Sequence, residues 1–312
     1  MRLIPYKFLN KTSASLFILA LFLIGVYLFI AKFDFSKITH ITAMQSIVLI
    51  GIAFFNLVAQ GAIFKYSIKV FGINLSFKEW FGAINITLFG NYIIPFSGFG
   101  FRAYYLKKKY KFSYIDFSSS LIAILLVEMF IFSSLGVIAF HLSEYSIWSN
   151  VFYMSLIIIM LSSALFFIPK FIELLEKVLG FLKLKIVLSG WVQCLKSGKA
   201  LSGIFAYTII SVIFFILLFY ISIYIITGLY DLKLAILMAV AGNLGMYLRI
   251  TPAAIGTFEG GVVLIGFFFG IGMNECLLIS ICIRFAFLPL FFTFGPIYSW
   301  LFLGKLIPTK IN

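Results

Sequence analysis

Long apolar stretches dominate the chain, and its polar residues are gathered between them. Six stretches are continuous and, at about 20 residues each, long enough to cross a bilayer as helices. They lie at about 14–31, 43–63, 117–140, 150–168, 203–227 and 276–303. Their continuous apolar character does not alternate with period two, which favours helices over the strands of an outer-membrane barrel. The pattern predicts an all-α polytopic membrane protein.

Two further apolar stretches, near 80–101 and 235–270, are interrupted by proline and glycine. Proline removes a donor and disfavours helix for the residue before it, so each stretch is predicted to form a re-entrant helical hairpin. The predicted turns contain Pro95, Gly98 and Gly100 in the first hairpin, and Pro252 and Gly256 in the second. The fold is thus predicted to have about six transmembrane helices and two re-entrant hairpins.

The loop charges orient these elements. With both hairpins re-entrant, most lysines fall on one side, which the positive-inside rule identifies as cytoplasmic. A single crossing by the first stretch would place Lys107–Lys111 outside and remove this bias. We therefore predict an integral protein of the cytoplasmic (inner) membrane with both termini cytoplasmic. The loop 170–199 is predicted to be a cytoplasmic, surface-lying amphipathic segment, with Trp191 as an interfacial anchor.

The same topology predicts two inverted repeats within a single membrane domain, 1–312. Three crossings precede the loop 141–150 and three follow it, so the second half runs in the opposite sense to the first. Repeat one covers about 1–141 and repeat two about 150–312. Paired broken segments in two such halves point to the binding site of a transporter.

Composition and charge exclude other classes. Hydrophobic residues make up 63% of the chain and charged residues only 11%, which excludes a soluble protein. The net charge of +14 is divided among short loops, where lysines orient helices and contact anionic lipid, so nucleic acid is not an expected partner. The three cysteines and two histidines form no metal-ligand pattern, and we expect neither a metal nor a cofactor.

The predicted hairpins share a charge pattern with the signs exchanged. Pro95 is followed seven residues later by Arg102 and then by Glu128, whereas Pro252 is followed seven residues later by Glu259 and then by Arg284. Charges at membrane depth are costly and tend to mark function. Helix ends attract anions, and arginine binds phosphate with two hydrogen bonds. The predicted substrate-binding residues are Arg102, Glu128, Glu259, Arg284, Asn91 and Asn243.

A purely structural alternative remains open. The four charges would then form buried ion pairs that fix helix register and touch no substrate. For Glu128 the two interpretations have equal weight. Asn91 and Asn243 fit helix packing at least as well as ligand contact.

These motifs resemble a known family. The pattern Asn91-x-x-x-Pro95-x-x-Gly98-x-Gly100-x-Arg102 with a later Glu128, and Pro252-x-x-x-Gly256-x-x-Glu259 with a later Arg284, resembles the flippase-like membrane domain of bacterial lysylphosphatidylglycerol synthases and their stand-alone relatives. The resemblance implies movement of anionic or aminoacylated lipids, or polyprenyl-phosphate-linked glycans, between leaflets. It implies site roles for Arg102, Glu259 and Arg284. Because the synthases continue into a soluble aminoacyl-transferase domain, we expect no lipid synthesis from this chain.

The leading hypothesis is therefore a lipid flippase or scramblase and not an enzyme. Its partners would be the bilayer and an anionic lipid or lipid-linked substrate, and a homodimer is left open. One alternative is a membrane-embedded transferase acting on a lipid carrier, although the isolated Asp34, Asp116 and Asp231 disfavour it. Another is an accessory membrane subunit of a cell-envelope synthesis system.

Overall fold

The computed structural model describes residue 36 and residues 41–94, 96–141, 189–247 and 251–306, with side chains as far as 302. This part of the chain is helical and contains no strand. Its helices are α1 (Ala43–Lys69), α2 (Phe77–Ile93), α3 (Ser97–Tyr110), α4 (Tyr114–His141), α5 (Ser189–Lys196), α6 (Gly198–Thr227), α7 (Leu232–Tyr247), α8 (Thr257–Phe268) and α9 (Met273–Leu306), with a 3-10 turn at Pro252–Ala254.

Four helices, α1, α4, α6 and α9, are long and apolar enough to cross a membrane. They match the predicted spans at 43–63, 117–140, 203–227 and 276–303, and they confirm the polytopic α-helical class. The other two predicted spans, 14–31 and 150–168, lie outside the described residues.

The two interrupted stretches are broken helices. Helices α2, α3, α7 and α8 have 17, 14, 16 and 12 residues. At 1.5 Å per residue none exceeds about 26 Å, which is short of the roughly 30 Å of bilayer hydrocarbon. The predicted breaks are therefore confirmed, while re-entry from one face and the inverted repeats stay predictions. Pro95 lies outside the described residues.

In both hairpins the two helices touch through glycine. A Cβ on Gly98 would lie 2.0 Å from the Thr87 carbonyl oxygen, and a Cβ on Gly245 would lie 2.2 Å from that of Thr257. Backbones this close leave no room for a side chain, so α3 is folded back onto α2 and α8 onto α7.

The described chain divides into two compact units. The first contains 41–54, 85–101 and 216–300, which includes both hairpin turns and all of the second hairpin. Phe219 of α6 packs against Phe258 of α8 with ring centroids 6.0 Å apart. Tyr92 of α2 packs against Phe291 of α9 with centroids 5.3 Å apart. This unit holds the site described below.

In the second unit α1 packs against α6. Asn56 donates from Nδ2 to the Ser211 carbonyl oxygen at 2.7 Å, and the rings of Tyr66 and Tyr207 stack with centroids 5.5 Å apart.

Helix α5 belongs to this second unit and is amphipathic, with Trp191 and Cys194 buried and Lys196 exposed, while the surface-lying loop 170–199 as a whole stays a prediction. Trp191 is fully buried, because α5 packs against α4 with Gly190 donating its N–H to Ser119 Oγ. The prediction that Trp191 anchors the chain at the membrane interface was wrong.

Candidate functional site

Arg284 is the centre of the polar site in the first unit. From α9 its Nε donates to Glu259 Oε1 on α8 at 2.5 Å. Nη1 donates to the Ala253 carbonyl at 3.1 Å, and Nη2 donates to the Ala254 carbonyl at 3.4 Å. One guanidinium therefore ties the spanning helix to both the turn and the second helix of the hairpin. The structure thus brings together Glu259 and Arg284, two of the predicted site residues.

Glu259 uses its other oxygen to begin α8. Oε2 accepts the Gly256 N–H at 2.7 Å, which caps the helix. Gly256 has φ 91°, a conformation that favours glycine. A carboxylate is stabilised at the positive N-terminal end of a helix. The helix end holds this carboxylate in place whether or not Arg284 is bound to it.

The turn before α8 is strained. Ala253 and Ala254 both have φ 54°, in the left-handed region that costs an L-residue about 1–2 kcal/mol. Their carbonyls are the ones that accept from Arg284. Strain of this kind persists where surrounding contacts impose it and is concentrated at functional sites. Sequence alone offered no signal for it, because alanine rarely adopts this conformation.

Tyr92 completes the surroundings of the guanidinium. It lies near enough to Arg284 to interact with it electrostatically, and the Phe258 ring centroid lies 5.1 Å from the guanidinium carbon. The Arg284 and Glu259 side chains are each 17% exposed, so the pair is accessible at its edge. Tyr92 was not among the site residues predicted from the sequence. The signal available for it was a tyrosine next to Asn91 at the end of an apolar helix.

The two predicted asparagines lie in the same unit. Asn91 Oδ1 accepts the Gly98 N–H at 3.1 Å and so braces α2 against α3. Its Nδ2 is buried and has no hydrogen-bond partner among the described residues, and the same holds for Asn243 Oδ1 on α7. The unit that contains the ion pair thus also contains a buried donor and a buried acceptor that no described residue satisfies.

Arg102 and Glu128 belong to the second unit. Arg102 is 3% exposed, with its guanidinium carbon 4.4 Å from the Phe64 ring centroid. Glu128 is half-buried on α4. The prediction that Arg102 shares one cavity with Glu259 and Arg284 stays a prediction.

The sequence comparisons agree with the helical architecture. A family model described as the lysylphosphatidylglycerol synthase TM region matches residues 15–295. No curated protein and no solved structure matches the chain.

Proposed function

The chain belongs to the lysylphosphatidylglycerol synthase transmembrane-region family, and from this premise we propose that it moves an anionic lipid between the leaflets of its membrane. The substrate would be an anionic phospholipid, an aminoacyl-lipid or a polyprenyl-phosphate-linked lipid. All three carry a phosphate that a guanidinium recognises. The acyl or prenyl chains stay in the bilayer while the headgroup passes along the polar site.

The Arg284–Glu259 pair is the observation that carries the proposal. Both charges lie in apolar segments. Charged side chains at membrane depth are costly in free energy and tend to mark functional sites. Its edge is accessible, and both partners meet at a helix break. A guanidinium in that position offers a phosphate the same geometry that it offers a carboxylate.

We infer that the phosphate takes the place of the Glu259 carboxylate on Arg284. Displacing a partner from a buried ion pair normally strands a charge at large cost. Here Glu259 keeps the Gly256 N–H and the helix N-terminus, which lowers that cost. As Arg284 turns toward the lipid, it releases the carbonyls of Ala253 and Ala254, so the strained turn can relax and move.

Reconstitution tests this function. In proteoliposomes made with headgroup-labelled phosphatidylglycerol or phosphatidylcholine, an impermeant quencher reports how fast inner-leaflet lipid reaches the outer leaflet. We expect labelled phosphatidylglycerol to exchange faster than phosphatidylcholine, because only the anionic headgroup competes with Glu259. Exchange no faster than in protein-free vesicles would refute the proposal.

The proposed membrane orientation leads to a labelling prediction. In a chain whose three buried cysteines, Cys194, Cys276 and Cys282, have been replaced, a cysteine at exposed Lys108 or Lys199 should react with an impermeant maleimide only after the cells are permeabilised. A cysteine at Tyr230, which is 68% exposed in the α6–α7 loop, is the control and should react in intact cells. Reaction of the Lys108 variant in intact cells would contradict re-entry of the first hairpin.

A further inference from the structure

Two loops with lysines in or beside them meet in the second unit. The loop after α1 and the loop after α3 are joined by Phe71 and Phe112, whose ring centroids are 5.0 Å apart in an edge-to-face arrangement. Such aromatic pairs hold their elements together beyond simple burial. Lys69 and Lys111, which are distant in sequence, therefore lie at the ends of two segments that are in contact.

Glu79 joins the same two segments and neutralises one of the lysines. Its Oε2 accepts from Ser76 N at 2.8 Å and from Ser76 Oγ at 2.7 Å. Its Oε1 accepts from Tyr105 and Tyr110 at 3.0 and 2.5 Å and pairs with Lys109 Nζ.

Glu79 lies in the first turn of α2, outside the four long spans. Burial raises the pKa of its carboxyl, but the hydrogen bonds from Lys109, Tyr110 and Ser76 outweigh burial and lower that pKa to about 2. Glu79 thus stays ionised at neutral pH and compensates Lys109.

Five other lysines in or beside these two loops are exposed, and we call them the basic patch: Lys69, Lys78, Lys107, Lys108 and Lys111. Exposed aromatic side chains lie among them. Lys107 Nζ is 4.2 Å from the Tyr114 ring centroid, and Phe77 and Tyr104 are 55% and 46% exposed. Lysines beside exposed aromatic rings are typical of the boundary between headgroups and hydrocarbon.

Lys111 has a backbone conformation that ends α3. Its φ is 56°, in the left-handed region, and the following Phe112 N–H reaches back to the Leu106 carbonyl at 3.4 Å. This is the usual way in which a helix is closed at its C-terminus, most often with glycine at the left-handed position. A lysine there carries its charge just beyond the negative end of the helix.

We propose that the basic patch binds the anionic phospholipid headgroups of its own leaflet and gathers them at the C-terminal end of α3, the helix that also carries Arg102. Arg102 lies five residues before Lys107 on α3, about 7.5 Å along the helix axis. Five residues also turn the helix by about 140°, so Arg102, which is buried, lies on a different side of α3 from Lys107 and is not itself part of the patch. Lipid binding at the basic patch is distinct from the transfer of lipid between leaflets and does not depend on it.

Charge complementarity selects this ligand. Each lysine near an anionic bilayer surface strengthens attraction by about fivefold, so several exposed lysines together give a marked preference for anionic over zwitterionic lipid. Loops whose lysines only orient the chain need neither an ion pair between Glu79 and Lys109 nor aromatic rings among the lysines. These two features therefore favour a lipid-binding surface.

Lipid retention by the purified full-length protein tests the proposal. Phosphatidylglycerol or phosphatidylcholine is titrated in mixed micelles, and bound lipid is counted by native mass spectrometry. The patch variant combines Lys107→Gln, Lys108→Gln and Lys111→Asn, since asparagine tolerates the left-handed backbone. We expect it to bind phosphatidylglycerol at least about tenfold more weakly than the wild type, with phosphatidylcholine unchanged.

The controls separate the patch from charge in general. Lys196→Gln, Lys199→Gln and Lys233→Gln together remove the same number of exposed charges elsewhere and should weaken phosphatidylglycerol binding clearly less than the patch variant does. Arginine at the three patch positions should retain binding, and it provides a second comparison if the neutral variant does not fold. Phosphatidylglycerol binding by the folded patch variant equal to that of the wild type, or an equal loss in the control, would overturn the proposal. Because no transfer is measured, this result is independent of the flippase proposal.

Discussion

Replacing Arg284 by lysine is expected to slow anionic-lipid transfer by about 100-fold while the protein stays folded. Lysine keeps the charge but lacks the planar fork that contacts Glu259 and the carbonyls of Ala253 and Ala254. Contacts in buried charge pairs are worth about 2–5 kcal/mol, and each 1.4 kcal/mol is about a factor of ten in rate. Alanine is a poorer choice, because it leaves Glu259 without its partner and threatens folding.

The neighbouring carboxylates provide a matched pair of variants. Glu259 and Glu275 both accept a glycine N–H three residues earlier, at 2.7 and 3.3 Å, but only Glu259 is joined to Arg284. Glu259→Gln should change the transfer rate, whereas Glu275→Gln should not. Transfer by folded Arg284→Lys at the wild-type rate would show that the pair is only structural.

Exchanging the two charges would not discriminate between these interpretations. Arginine at 259 would place a cation at the positive N-terminus of α8, and glutamate at 284 would face two carbonyl oxygens. Both the binding model and the scaffold model therefore predict failure of the exchanged protein.

Replacing Gly98 by alanine is expected to destabilise the protein by about 1–3 kcal/mol or more. The new methyl group would lie 2.0 Å from the Thr87 carbonyl oxygen, and the atom that must move is backbone. The first hairpin would have to open. A thermal melt in detergent measures the effect.

Gly100 is the matched control, two residues later on the same helix. A Cβ there meets nothing within 4 Å, so Gly100→Ala should be neutral or stabilise by about 0.5–1 kcal/mol. The second hairpin offers the same comparison, because a Cβ on Gly261 would lie 2.4 Å from the Ala241 carbonyl while one on Gly260 meets nothing. Equal melting temperatures for Gly98→Ala and Gly100→Ala would contradict close contact between α2 and α3.

The features predicted best from sequence are those set by local rules. Apolar length alone located α1, α4, α6 and α9, since spanning hydrocarbon requires about 20 apolar residues. Proline and glycine located the breaks in both hairpins. In both hairpins a proline is followed at similar spacings by two charged residues. This shared pattern identified Glu259 and Arg284, which the structure joins in an ion pair.

The features missed depend on tertiary contacts. Tyr92 and Arg284 are far apart in sequence, and no local pattern connects them. Lys109 looked like any other member of its lysine cluster until the fold placed Glu79 against it. Trp191 lies on the apolar face of an amphipathic helix, and such a face has the same pattern whether it covers protein or lipid.

The central claim is that the Arg284 guanidinium binds the phosphate of a lipid. Dipolar dephasing between guanidinium ¹⁵N and lipid ³¹P in phosphatidylglycerol vesicles tests it most directly, because the chain has four arginines and Arg284→Lys identifies the signal by its loss. We predict dephasing that corresponds to a nitrogen–phosphorus distance of about 4 Å in the wild type, as a charge-assisted hydrogen bond requires, and its loss in Arg284→Lys. Dephasing unchanged by the substitution, or none in a protein that transfers lipid, would contradict the account.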